Sequence, residues 1–325
     1  MARKIFIDGE AGTTGLQIRE RLQGRTDLEL MTIDPALRKD VGARAEALNG
    51  ADVVVLCLPD EAAKEAVSLI TRAGVRVIDA STAHRVAAGW VYGFAEMDGA
   101  QRAAIAGAAR VSNPGCFATG AIALLRPLVQ AGLLAAEAAV TVHAVSGYSG
   151  GGKGLIAEFE QAPPVGTRDA FRPYGMTLAH KHLPEMQAYT GLQHAPVFAP
   201  SVGRYAQGMI VEVPLALWSL ASKPTVAAGR DGLTAAYAGS RFVEVAGVEE
   251  TAELQRARAG AAGYVAGLDP ESLNGTNRMR LFCFGNEAAE QVRLVAVLDN
   301  LGKGASGAAV QNLNIMLGLD EGAGL

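Results

Sequence analysis

The sequence predicts an α/β protein, in which a doubly wound, Rossmann-type parallel sheet is followed by an α+β domain with a largely antiparallel sheet. Strands and helices alternate up to about residue 116, which is typical of a parallel sheet. A GxxGxxG motif joins the first strand to the first helix. After about residue 140 several strands alternate polar and apolar residues, as half-buried antiparallel strands do.

The first part of the chain supplies the predicted parallel sheet. The run from Val53 to Leu58 is apolar without polar alternation, which suits a strand buried on both faces. Pro59 ends this run, and Asp60 opens the next helix. The predicted strands are 4–8, 28–33, 53–58 and 75–80, and the predicted helices are 16–22 and 60–72.

The second part predicts more strands and fewer helices. Its predicted strands are 140–145, 209–217, 241–245, 279–284 and 292–298. The stretch 219–230 is expected to be a surface loop that leads into a helix. The last segment, 302–319, returns to a helical period that places Val310, Leu313 and Met316 on one face.

Length and composition limit the function classes. A chain of 325 residues predicts about two domains of roughly 150 residues each. The net charge of −4 gives no indication of nucleic acid or an anionic membrane as a partner. No apolar run approaches the roughly 20 residues that span a bilayer, and no signal-peptide pattern precedes the first strand. Because three cysteines do not make a disulfide framework, we expect a cytoplasmic protein.

The glycine motif predicts a dinucleotide site. Gly9, Gly12 and Gly15, with Thr13 and Thr14, form a strand-to-helix turn that lets a pyrophosphate approach the helix N-terminus. A plain strand-to-helix turn is the alternative, since the chain contains 39 glycines.

The cofactor type stays open on these residues. Asp34 follows the second strand and favours NAD, because a carboxylate there holds a ribose hydroxyl. Arg38 and Lys39 follow closely and favour NADP, because a cation there holds the 2′-phosphate.

A cysteine on a Pro-Gly turn is the candidate nucleophile. Cys116 stands in SNPGCFATG, between a short strand and an apolar helical run from 118 to 134. A helix N-terminus favours the thiolate, which is the reactive form. The alternative is a small buried cysteine that follows a turn. Cys57 and Cys283 lie within apolar strands, and we expect them to serve packing.

Polar loops follow several strands of the parallel sheet. Ligands bind beyond the carboxyl ends of such strands. Pro59, Ser81 and Thr82 are therefore expected to bind the cofactor. Arg85 and Asn113 are expected to face the substrate cleft with the cysteine, and a solvated surface arginine is the alternative for Arg85.

Two of the five histidines lie together in HKHLPE. His180 and His182 face the same way if the chain there is extended, and Pro184 keeps its predecessor extended and suits the first helical position. They are candidate acid–base partners of the thiolate. Ordinary partly buried histidines and a metal site with Glu185 are the alternatives. His84 and His143 are weaker candidates, and His143 is expected to be a satisfied core residue because it lies mid-strand.

The segment SGYSGGGK, residues 146–153, is a glycine-rich loop after a strand. It could be a flexible surface loop. It could also close over a phosphorylated substrate through Ser146 and Gly147, with Lys153 as the counter-charge.

Four motifs together resemble one family over essentially the whole chain. SNPGCFATG, SGYSGGGK, HKHLPE and DNLGKGASGAAVQ are similar to the N-acetyl-γ-glutamyl-phosphate reductases, which are related to the aspartate-semialdehyde dehydrogenases. IDGEAGTTG and DASTAHR resemble the shorter, second type of that enzyme, whereas the long type has a DLSADFR-like loop. GFAE, at residues 93–96, stands where GLPE is usual.

The resemblance implies an NADP-dependent reduction of an acyl phosphate through a cysteine thioester. It implies a Rossmann domain of residues 1–116 and 300–325, a catalytic and dimerisation domain of residues 117–299, and a homo-oligomer, either dimer or tetramer. No metal is implied. The implied roles are nucleophile for Cys116, acid–base for His182 with His180 second, the motif acid for Glu185, phosphate binding for Arg85, and nicotinamide contact for Asn300.

Three rival functions stay open at this point. A reductase of another acyl phosphate, of the aspartate-semialdehyde dehydrogenase kind, shares the chemistry. A cysteine hydrolase of the glutaminase kind needs no nucleotide. A non-catalytic NADP sensor needs no nucleophile.

Overall fold

The computed structural model of the protein describes residues 2–256 and 267–325. The chain divides into two compact units. The first unit comprises residues 1–115 and 304–325, and the second comprises residues 116–303.

The first unit contains a six-stranded sheet in which every pairing is parallel, in the order β2-β1-β3-β4-β6-β5. The predicted doubly wound parallel sheet is therefore confirmed. Its strands are β1 (Arg3–Asp8), β2 (Leu28–Met31), β3 (Val53–Leu56), β4 (Arg76–Asp79), β5 (Val91–Tyr92) and β6 (Arg110–Ser112). Its helices are α1 (Thr13–Leu22), α2 (Val41–Gly50), α3 (Asp60–Leu69), α4 (Gln101–Gly107) and, from the end of the chain, α10 (Gly307–Leu317).

The sheet of the first unit is covered on both faces. Because side chains alternate along a strand, Val53 and Val55 join one hydrophobic cluster, whereas Val54 and Leu56 join the other. The first cluster also receives Leu313 from α10. Both faces of β3 are therefore buried, which explains its uninterrupted apolar run.

The second unit contains a seven-stranded sheet in the order β11-β12-β13-β10-β7-β9-β8. The pairings β7–β9 and β11–β12 are parallel and the others are antiparallel, so the largely antiparallel sheet is confirmed. The strands are β7 (Thr141–Gly147), β8 (Phe171–Pro173), β9 (Val197–Gly203), β10 (Met209–Ala216), β11 (Val243–Val245), β12 (Met279–Asn286) and β13 (Gln291–Leu298). The helices are α5 (Cys116–Gln130), α6 (Gly152–Glu160), α7 (Leu183–Thr190), α8 (Val226–Ala236) and α9 (Val248–Arg256).

Helix α5 packs against the central strands of this sheet. It is buried along most of its length, and a Cβ at Gly120 would lie 2.7 Å from Val211 Cγ2 on β10. Glycine therefore lets α5 approach the sheet closely, one turn after the cysteine that begins the helix.

The sequence failed to predict β9. Pro200 lies inside this strand, and proline usually weakens a strand assignment because it lacks an N–H donor. The strand forms because its neighbours β7 and β8 pair with it on both sides.

The expected core position of His143 is wrong. Val142 and Ala144 of β7 are buried, so the alternation turns His143 to the opposite, exposed side. The register places it opposite Glu212 of β10. In the described part of the chain no helix is long and apolar enough to cross a membrane.

Candidate active site

Cys116 is the first residue of α5 and is partly exposed. Pro114 and Gly115 precede it, so the chain turns sharply into the helix at this point. The N–H groups of the first turn and the helix dipole favour a negative charge on its sulfur. The predicted placement of this thiol at a helix N-terminus is confirmed.

The two histidines of HKHLPE lie against the residue that follows the cysteine. The His180 and His182 rings meet edge to face with centroids 4.7 Å apart. The Phe117 ring lies 5.8 Å from each of them. Helix α5 thus carries both the nucleophile, Cys116, and the Phe117 ring that contacts the two imidazoles.

The extended chain expected at these histidines is wrong. His182 has φ −89° and ψ −8°, which is a turn conformation, and Leu183 is already helical. Pro184 lies in the first turn of α7, where its missing N–H costs nothing. The rings meet because the turn folds them together, since the His182 main-chain N–H donates to His180 Nδ1 at 3.1 Å.

This main-chain hydrogen bond decides the tautomer of His180. With Nδ1 as the acceptor, the proton of the neutral ring is on Nε2. His180 Nε2 faces the Tyr174 hydroxyl at 3.5 Å. Burial raises the pKa of Tyr174, and the negative charge of Cys116 adds to this rise. The tyrosine hydroxyl therefore stays protonated and lies within electrostatic range of the thiolate.

Tyr174 was not predicted as a functional residue. It follows β8, and its main-chain N–H donates to the carbonyl of Pro200 at 3.1 Å. The only signal in the sequence is a Pro-Tyr-Gly turn six residues before His180.

Glu185 is buried on α7 and completes the histidine cluster. It is 1% exposed, and its Oε1 lies 4.0 Å from Nε2 of His182, which is 4% exposed. A buried carboxylate beside an imidazole favours the protonated ring. Among the described residues, no group of three or more His, Cys, Asp or Glu side chains is arranged to hold a metal ion.

The glycine-rich segment 146–153 is ordered rather than a surface loop. Ser146 and Gly147 belong to β7, residues 148–151 form a 3₁₀ turn, and Lys153 is an exposed residue in the first turn of α6. A Cβ at Gly147 would lie 2.6 Å from the carbonyl oxygen of Ala206, so glycine serves close packing there. Of the two alternatives, the irregular surface loop is wrong, since the whole segment lies in a strand, a 3₁₀ turn and a helix.

Asn300 is held within the second unit. Its side-chain oxygen accepts from the Gly208 N–H at 2.7 Å, and its nitrogen donates to Ser149 Oγ at 3.0 Å. The side chain therefore links the 3₁₀ turn to β10. Its expected nicotinamide contact stays a prediction.

The glycine turn of the first unit fits a close-approaching phosphate. Gly9 has φ +88°, and a Cβ there would lie 2.3 Å from the Cys57 carbonyl oxygen. A Cβ at Gly15 would lie 2.6 Å from the carbonyl oxygen of Gly9. Helix α1 begins at Thr13, and its N-cap Gly12 makes no side-chain cap, so no cap side chain competes with a phosphate for the first N–H groups.

The loops after β3, β4 and β6 meet at one edge of the parallel sheet, as expected from topology. Asp60, after the exposed Pro59, accepts hydrogen bonds from the main chain and hydroxyl of Thr82. Arg85 donates through Nε to the carbonyl oxygen of Asn113 at 3.2 Å. Arg85 is 8% exposed, so the alternative of a solvated surface arginine is wrong.

The residues that bear on the cofactor type are all exposed. Asp34 caps the following turn by accepting from the Ala36 N–H at 2.9 Å, which occupies one of its oxygens. Arg38 and Lys39 stand after it with exposed side chains. The turn that follows β2 therefore carries two exposed cations, Arg38 and Lys39, which suit a 2′-phosphate better than a ribose hydroxyl.

Two family models match the chain. Residues 10–107 match the model described as semialdehyde dehydrogenase, NAD binding domain, and residues 116–300 match semialdehyde dehydrogenase, dimerisation domain. The N-acetyl-γ-glutamyl-phosphate reductase of Sinorhizobium medicae is 53% identical over 98% of this chain and 99% of its own length. The N-acetyl-γ-glutamyl-phosphate reductase 2 of a Nostoc species is 51% identical over 99% of both chains.

The chain belongs to the N-acetyl-γ-glutamyl-phosphate reductase family. The resemblance inferred from the motifs is therefore confirmed. Solved structures agree on the fold of this family member. Aspartate semialdehyde dehydrogenase II from Vibrio cholerae superposes with a TM-score of 0.69 at 14% identity, covering 98% of each chain. Aspartate semialdehyde dehydrogenase with NADP from Candida albicans gives 0.63 at 14% identity, covering 98% of this chain and 99% of that one.

Proposed function

We propose that this chain reduces N-acetyl-γ-glutamyl phosphate with NADPH to N-acetylglutamate semialdehyde and phosphate, a step of arginine biosynthesis. Its family membership supports the reaction, since relatives more than half identical over their full length carry this name. The observation that carries the chemistry is a cysteine at the first position of a helix, followed by Phe117, whose ring contacts both histidines of a cluster that also contains a tyrosine and a buried glutamate.

Covalent catalysis begins at Cys116. Its thiolate sulfur attacks the acyl carbon, and phosphate leaves with the electron pair of the C–O bond, which forms a thioester. NADPH, when bound, supplies the hydride that reduces this thioester carbonyl. The N–H groups at the start of α5 stabilise the oxyanions. Collapse of the hemithioacetal breaks the C–S bond, releases the semialdehyde and returns the thiolate.

His182 moves the proton that this collapse requires. Glu185 holds the charged form of the ring, and the ring contact with His180 fixes its plane. Tyr174 holds His180 from the other side through Nε2. We expect His182→Asn to lower the rate by roughly 10²- to 10⁴-fold. A larger loss in His180→Asn would reverse the two assignments.

The remaining assignments concern binding. Gly9, Gly12 and Gly15, with the loops that carry Pro59, Ser81 and Thr82, hold NADP in the first unit, and Arg38 pairs with its 2′-phosphate. Arg85 and Asn113 hold the phosphate end of the substrate, because a buried guanidinium pairs with such a group through charge-assisted hydrogen bonding. Ser146, Gly147 and Lys153 bind the substrate, and Lys153 supplies a counter-charge.

The chain works as a cytoplasmic homo-oligomer that pairs through the sheet of the second unit. The alternation along β7 and β10, which leaves His143 uncovered, supports a shared face. None of the three cysteines is in a disulfide, which suits a reducing compartment. Size-exclusion chromatography with light scattering measures the molar mass and so tests the assembly. A monomer at micromolar concentration would contradict it.

Phosphate-dependent reduction of NADP⁺ by N-acetylglutamate semialdehyde tests the function in reverse and avoids the unstable acyl phosphate. We expect activity in the wild type, none in Cys116→Ser, and near-wild-type activity in the matched control Cys283→Ala. NADPH binding should survive in all three. If the wild type is inactive but binds NADPH, the substrate is another acyl phosphate or the chain is a sensor. Near-normal turnover in Cys116→Ser would overturn the mechanism.

A further inference from the structure

The loop before Arg85 is organised around a carboxylate with no exposed surface. Asp79, the last residue of β4, is 0% exposed. Its oxygens accept from the Ser81 main-chain N–H at 2.9 Å and the Ser81 hydroxyl at 2.7 Å. His84 Nδ1 lies 2.6 Å from Oδ2 of the same carboxylate. A buried carboxylate is stable only when donors surround it, so His84 supplies a contact that this loop requires.

His84 is also held across its ring face. Its imidazole stacks on the Trp90 indole with centroids 4.1 Å apart and an interplanar angle of 14°. The Arg110 guanidinium lies over the same indole, 5.8 Å from its centroid. The ring is therefore fixed at one edge by a hydrogen bond and on one face by an aromatic surface, which leaves it a single orientation.

The orientation of His84 limits that of its neighbour. Arg85 directly follows it and is 8% exposed. Its guanidinium donates to the carbonyl oxygens of Asn113 at 3.2 Å and Ala80 at 3.4 Å. The Asn113 main-chain N–H in turn donates to the Asp79 carbonyl oxygen at 2.7 Å. Asp79 thus anchors both the loop that carries Arg85 and the segment that Arg85 contacts.

We propose that His84 is a positioning residue for Arg85, which it aims at the phosphate group through the Asp79 hydrogen bond and the Trp90 stack. The inference rests on the proposed function, in which Arg85 binds that phosphate. His84 itself does not touch the substrate. Because a charge-assisted hydrogen bond depends on the direction of the guanidinium plane, a small rotation of the loop weakens phosphate binding without changing the groups that perform the chemistry.

Two substitutions separate the two contacts of His84. His84→Phe keeps a flat ring to stack on Trp90 and removes the donor to Asp79. His84→Asn keeps an amide donor close to the Nδ1 position and removes the stack. In the reverse assay, we expect His84→Phe to raise the KM for inorganic phosphate about 10-fold and to change kcat less than about 3-fold. We expect His84→Asn to recover part of this loss.

A double-mutant cycle distinguishes positioning from a general loss of structure. Arg85→Gln should raise the phosphate KM by itself. If His84 acts through Arg85, adding His84→Phe to Arg85→Gln should change the phosphate KM less than about 2-fold, because the guanidinium that His84 positions is already absent. Effects that multiply in the double variant would overturn the inference.

Other results would also overturn the inference, and they differ in which of the other proposals they leave unchanged. An unchanged phosphate KM in His84→Phe beside a raised one in Arg85→Gln rejects the positioning role and leaves the proposed role of Arg85. An unchanged phosphate KM in Arg85→Gln rejects both, while wild-type turnover keeps the proposed reaction. If His84→Phe does not fold, His84→Asn decides: because it removes the stack, an unchanged phosphate KM there overturns the inference that the stack and the hydrogen bond position Arg85 together.

Discussion

Replacing Gly9 with alanine should weaken NADPH binding, and by more than the strain of an alanine at a positive φ would cause by itself. Gly9 has φ +88°, and an L-residue pays about 1–2 kcal/mol in this region. A Cβ there would also lie 2.3 Å from the Cys57 carbonyl oxygen and 2.9 Å from its carbon. Since an ordinary contact needs roughly 3.5 Å, the turn must move by about 1 Å.

Gly74 supplies the matched control for this substitution. Its φ is +90°, and no atom lies within 4 Å of the Cβ that alanine would add. Gly74→Ala therefore carries the same backbone strain without the collision. Both variants should unfold at a lower temperature than the wild type, by about 2–8 °C.

Binding separates the two variants. A shift of about 1 Å would break a hydrogen bond from the turn to the charged pyrophosphate, which is worth about 1.5–3 kcal/mol, so we expect the NADPH Kd to rise between about 10- and 100-fold in Gly9→Ala and less than about 2-fold in Gly74→Ala. Titration of NADPH fluorescence at equal protein concentration measures both. If the two variants bind NADPH equally well, the collision with the Cys57 carbonyl does not control the shape of the cofactor turn.

Two further predictions concern the thiols and the packing of α5. Burial raises the pKa of Cys57 to about 12 and that of Cys283 to about 11, so both stay protonated below these values and iodoacetamide at pH 8 should label only the first residue of α5. Mass spectrometry of the peptides checks this, and labelling of Cys57 or Cys283 in the folded protein would refute it. Gly120→Ala should destabilise by about 0–2 kcal/mol, because overpacking Val211 costs about 1–3 kcal/mol and helix propensity returns about 1. Gly154→Ala, on α6 with nothing within 4 Å of the added Cβ, should instead stabilise, and equal shifts of the unfolding midpoint in both variants would contradict the packing argument.

Local sequence patterns determined much of the fold. The apolar run at β3 predicted a strand buried on both faces, because burial on both sides removes the need for polar alternation. The Pro-Gly turn before Cys116 predicted that the thiol stands at the N-terminus of a helical run from 118, because these residues favour a turn and the following run is apolar; the helix begins at Cys116 itself. Such features depend on neighbours in the chain, which a sequence displays directly.

Only the tertiary structure decided which distant side chains meet. Tyr174 reaches His180 because β8 pairs with β9, a strand that Pro200 concealed. The sequence between Asp79 and Trp90 does not reveal that His84 contacts both of these residues. The hydrogen bond to Asp79 and the ring stack on Trp90 depend on how the loop folds back on itself. His143 is exposed for a similar reason: the direction of a strand residue follows from which face the helices cover, and that is settled by packing rather than by composition.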